Sequence, residues 1–138
     1  MAKRGRVSAA ALMIATPVLK TERPDAPYDL TDEQSEEWWA VVNRMPADWF
    51  PRETHAMLAQ YCRHVVASRR VAQLVAACEK DKNLDVEKYD RLLKMQEREG
   101  RAISSLATRM RISQQATVKF EQARKPLEME KPWDYGKA

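Results

Sequence analysis

Apolar residues recur at spacings of three and four from Thr31 to Phe120, a pattern that predicts helices and no sheet. The longest uninterrupted stretch, Arg52–Lys80, holds neither glycine nor proline and predicts one helix about 40 Å long. Met57, Leu58, Tyr61, Cys62, Val65, Ala72, Val75 and Ala76 share one broad face of it, the expected core. A second apolar strip, Ala59, Val66, Ala67, Leu74 and Ala77, runs on the other side between Arg63 and Arg70. A helix apolar on two sides must be covered on two sides. In so short a chain this predicts a subunit interface at Val66 and Leu74, flanked by Arg63 and Arg70.

Shorter elements flank this helix. Thr31 to Gln34 fits a capping box, so a helix is expected from Thr31 to about Arg44, with Trp38, Val41, Val42 and Met45 inward, Trp39 beside them, and Pro46 as the stop. Ala47–Pro51 reads as a corner packed through Trp49 and Phe50. After a short break at Lys80–Asp85, Asp85 is a candidate N-cap for a second long helix, Val86–Ile112. Tyr89, Leu92, Gln96, Glu99, Ile103, Leu106 and Met110 form its seam, with Gln96 and Glu99 as polar defects and Gly100 beside them. Two long helices joined so briefly should lie antiparallel. Ser113 opens a short final helix anchored by Ala116, Val118 and Phe120. The expected fold is all-α: a long antiparallel helical hairpin with a short N-terminal and a short C-terminal helix. A flexible basic arm spans 1–28, a helical oligomerisation and DNA-binding domain 29–125, and a flexible tail 126–138.

Composition narrows the class. The chain has 138 residues, enough for one modest core. Its two cysteines, Cys62 and Cys78, lie too far apart along one helix to bridge and read as reduced, small apolar residues. No run is long enough to span a bilayer, and the short apolar run Ala9–Ala15 precedes no typical cleavage site, so a cytoplasmic location is expected.

The net charge is +4 and unevenly spread. Lys3, Arg4, Arg6, Lys20 and Arg23 load the arm, and Arg101, Arg109, Arg111, Lys119, Arg124 and Lys125 face only Glu121 near the other end. Asp29, Asp32, Glu33, Glu36 and Glu37 make the segment between them acidic. The basic ends point to a polyanion. Lys3, Arg4, Arg6, Lys119, Arg124 and Lys125 have few acids nearby and are the first candidates for DNA phosphates. Arg91, Lys94, Arg98, Arg101 and Arg109 form a rail along the second long helix, but Glu87, Asp90 and Glu97 stand four residues before Arg91, Lys94 and Arg101. Only Arg98 and Arg109 lack such a partner, and they are the second choice for DNA contact. The arm reads equally as a phosphate-tracking strand or as a solubilising terminus. Trp133 and Tyr135 in the tail are candidate anchors for a partner protein.

No phosphate-cradling glycine loop, nucleophile elbow, zinc-ligand spacing or paired catalytic carboxylates occur, and His55 and His64 have no acid or cysteine at ligand spacing. The reading is a non-enzymatic binding protein with no metal and no cofactor.

One ordered set of residues resembles a known family. The basic start Arg4-Gly5-Arg6, the proline-rich approach to Pro27, Leu30 and Thr31, Trp38 in an acidic helix, Met45-Pro46, and then Leu58, Tyr61, Cys62 and Val65 with basic residues behind resemble the small terminase subunit of tailed double-stranded-DNA phages. That resemblance implies a ring of about eight to twelve copies in the host cell cytoplasm. It also implies recognition of the packaging-initiation site on double-stranded viral DNA, recruitment of the large terminase subunit, and regulation of that subunit's ATPase and nuclease activities. A proline-bearing arm stands where many members carry a helix-turn-helix, so no family DNA-contact residue carries over by motif. The rival readings are a helical adaptor or scaffold without nucleic-acid binding and a small DNA-binding regulator.

Overall fold

A computed structural model of the chain describes residues 21–124. It is all-helical there, with α1 (Asp32–Arg44), a single 3-10 turn (Arg52–Thr54), α2 (His55–Glu79), α3 (Val86–Arg109) and α4 (Gln114–Arg124) in order. Thr31 caps α1 reciprocally with Gln34: the Gln34 N–H donates to Thr31 Oγ1 at 3.4 Å and the Thr31 N–H to Gln34 Oε1 at 3.1 Å. Asp85 caps α3 by accepting from the N–H groups of Glu87 and Lys88, each at 3.1 Å.

α2 is the spine, and both α1 and α3 pack on it. Glu79 meets Tyr89 and His64 meets Glu99, so contacts run in opposite directions along α2 and α3. The inward face of α3 is the seam read from spacing, with Leu92 and Met110 buried and Tyr89, Gln96, Glu99, Ile103 and Leu106 half-buried. Two apolar clusters result. The larger joins Trp38, Val42, Met45, Phe50, Leu58, Ala59, Cys62 and Met110; the smaller joins Val71, Val75, Cys78 and Leu92.

Four expectations change. Val66 is 2 % exposed and belongs to the chain's own interior, because α1 and α3 cover α2 from two sides and leave no second strip there for another subunit. Farther along, the inward stripe is Val71, Val75 and Cys78, and Ala72 and Ala76 turn outward. The arm does not reach to 28 as a free segment. Arg23 Nε and Nη2 donate to the carbonyls of Val42 and Met45, both at 3.2 Å, closing the C-terminal end of α1, and the Trp38 indole N–H donates to the Pro24 carbonyl at 3.1 Å. Finally, α3 stops at Arg109, short of Ile112. Arg111 takes φ 56°, and the N–H groups of Arg111 and Ile112 donate to Thr108 and Ala107, a Schellman ending with arginine where glycine is usual. Ile112 then packs back onto the larger cluster beside Leu106.

Candidate nucleic-acid interface

Electrostatics divides the described surface into two sides. On the α1 side every acid–base match is made across elements: Arg63 with Asp29, Arg69 with Glu37, and Arg70 with Glu33 at 3.6 Å. The acidic segment thus serves α2, and Arg63 and Arg70, the expected flanks of a subunit interface, are occupied within the chain. On α3 the matches are local, Arg91 with Glu87 at 3.4 Å, Lys94 with Asp90 at 2.6 Å and Arg101 with Glu97 at 2.5 Å. Each such exposed pair contributes a fraction of a kcal/mol, roughly 0.3–0.5, and largely cancels its own field.

Arg98, Arg109, Arg111 and Lys119 are exposed and make no ion pair among the described residues. The fold brings three of them together. The turn after α3 sets α4 beside the Ala47–Pro51 corner, where Phe120 meets Trp49 edge-to-face with centroids 4.7 Å apart, and the Trp49 indole N–H donates to the Met110 carbonyl at 3.1 Å. One cleft of about 420 Å³ there is lined by Arg109, Arg111, Trp49, Phe120 and Asp48 among others. A neighbouring cleft of about 390 Å³ is lined by Arg111, Lys119, Thr108, Ser113, Trp49 and Phe120 among others, with no acid. Arg98 lies on α3 away from this elbow, lining neither cleft.

The remaining expected residues fall as follows. Arg124 closes α4. Lys3, Arg4, Arg6, Lys125, Trp133 and Tyr135 lie outside the described residues. Leu74 is 53 % exposed on α2. Arg111 is the residue that spacing alone passes over: it sits between two helices in the chain and becomes central only through the left-handed turn.

Other titratable groups are used structurally. His55 Nε2 donates to the Phe50 carbonyl at 3.0 Å, and its ring stands edge-on to Trp38. His64 Nδ1 donates to Glu99 Oε2 at 2.6 Å while its Nε2 accepts from the Gln60 amide at 3.1 Å, so the polar defect of the seam is answered from the facing helix. Burial pushes the Cys62 thiol up to about 12, which keeps it protonated and unreactive, and burial also raises the Tyr61 hydroxyl. The Tyr89 hydroxyl is raised because it donates to Glu79.

Among the described residues no three histidine, cysteine or acidic side chains gather as a metal site, and no helix is long and apolar enough to cross a membrane. No protein-family model, curated protein or solved structure matches the chain.

Proposed function

We propose that the chain is a non-catalytic DNA-binding protein that works as a closed ring of copies, in the manner of a phage terminase small subunit. In this reading it holds the packaging-initiation region of duplex viral DNA, engages the large subunit and regulates its ATPase and nuclease activities. One observation carries the DNA part: Arg109, Arg111 and Lys119, which make no ion pair among the described residues, line two neighbouring clefts, one of them lined by no acid, while Asp29, Glu33 and Glu37 are paired with arginines of α2. The assembly part draws on the distal half of the antiparallel α2–α3 hairpin. There Leu74 on α2, and Leu93 and Met95 on α3, are exposed, and among the described residues the inward cluster of this half is drawn from α2 and α3 alone.

The self-paired cations Arg91, Lys94 and Arg101 favour a second reading, a helical adaptor whose charges only keep it in solution. Native mass spectrometry of the full chain with and without a viral-end duplex separates the two. A discrete assembly of about eight to twelve copies that gains one duplex is the expected result. A monomer or dimer that ignores DNA would overturn the ring and the DNA role together and leave the adaptor.

A further inference from the structure

We infer that the elbow between α3 and α4 is the seat for backbone phosphates of the nucleic acid, held by Arg109, Arg111 and Lys119 over the Trp49–Phe120 pair. The inference rests on the DNA-binding reading and assigns it a surface.

Three independent observations meet at this place. The first is charge without compensation. Lys119 and Arg111 share a cleft lined also by Thr108, Ser113 and Gln115, with no carboxylate, so an oxyanion entering it meets two cations and no competing acid. The second is rigidity. Trp49 packs against the larger core and its indole N–H is tied to the carbonyl of buried Met110, so this half of the floor is fixed, and Phe120 of α4 stands edge-to-face against it.

The third observation is the backbone at Arg111. A residue following a Schellman-ended helix in the left-handed region is ordinarily glycine, because any Cβ there is strained. Here the position carries the longest cationic side chain, and that side chain lines both clefts. Strain retained at an exposed position, with glycine as the obvious relief, points to work done by the side chain outside the fold. An arginine serves that work well, since its planar fork grips two phosphate oxygens at once.

The clefts are open to either strand form. A duplex would lay one phosphate line across the elbow, whereas a single strand could also place a base against the aromatic pair. The phosphate chemistry is common to both.

The test is salt-dependent binding of the full chain to a fluorescent duplex and to a single strand of the same sequence. Arg111→Gly is the decisive variant, since glycine suits the left-handed turn and the fold should melt no lower than the parent. Arg109→Gln and Lys119→Gln change exposed side chains and accompany it. Arg91→Gln removes the same charge from a position already paired with Glu87 and is the control. Each elbow variant is expected to weaken binding about three- to tenfold near 0.1 M salt and to lower the log–log salt slope by about one. Arg91→Gln should change neither by a comparable amount. A loss seen with both duplex and single strand, or with one of them alone, upholds the elbow and says which form it holds. Parent binding that the elbow variants leave intact, or reduce no more than Arg91→Gln does, overturns the elbow while DNA binding stands. A parent chain that binds neither form overturns the DNA reading itself, and the elbow with it.

Discussion

A half-buried carboxylate in a helix seam is tolerable only if something answers it. Glu99 sits on the inward face of α3, and the group that answers it, His64, comes from α2 at 2.6 Å with Gln60 closing the far side of the imidazole. Removing one partner of such a pair leaves the other desolvated, which costs about 1–3 kcal/mol, whereas replacing both by apolar groups can be close to neutral. His64→Leu and Glu99→Leu are therefore each expected, alone, to lower unfolding stability by about 1–2 kcal/mol. The double change His64→Leu with Glu99→Leu should recover most of the loss. Urea melts of the four proteins check this as a cycle, and independent, additive losses would show that the pair is not coupled. The pairing is invisible in the chain order, because 35 residues separate the two and neither spacing nor local charge joins them.

At the scale of elements, what could be read from the chain was whatever is settled within a few residues. Thr31 with Gln34 and Asp85 with Glu87 are caps whose donors and acceptors are neighbours in sequence, and both stand where local chemistry puts them. The α3 seam follows likewise from a fixed spacing of three and four. The end of α3 does not, because the usual signal, glycine after the last turn, is replaced by Arg111, and the break is made by backbone geometry with Ile112 folding back onto the core. The chain does carry a glycine just past the middle of α3, and it ends nothing. Gly100 lies in helix interior with no atom within 4 Å of where a Cβ would stand. Gly100→Ala should accordingly stabilise by about 0.5–1 kcal/mol, read as a higher thermal midpoint of a few degrees. An alanine that leaves the fold stable but breaks up the assembly in native mass spectrometry would instead place a neighbouring copy against that position.

For the whole molecule, the question is which apolar surface the chain itself already uses. Periodicity counts the faces of α2 correctly but cannot say what covers them, and α1 takes the part that a second subunit was expected to take. The consequence splits the two apolar residues proposed for that interface. Val66 lies inside, so Val66→Ala removes buried atoms and should cost about 2 kcal/mol in unfolding stability at any protein concentration. Leu74 lies half exposed beyond the reach of the larger cluster, on the stretch of α2 where only Val71, Val75 and Cys78 face inward against α3. Leu74→Asp removes little that the isolated chain needs and should leave a dilute monomer's melting within about 0.5 kcal/mol of the parent. It would, however, place an unpaired charge in any contact between copies. If the ring closes through this distal half, Leu74→Asp shifts the native mass spectrum toward single chains while Val66→Ala, once folded, assembles as the parent does. The reverse outcome, an assembly indifferent to Leu74→Asp, would move the contact between copies away from the hairpin and toward the chain's ends.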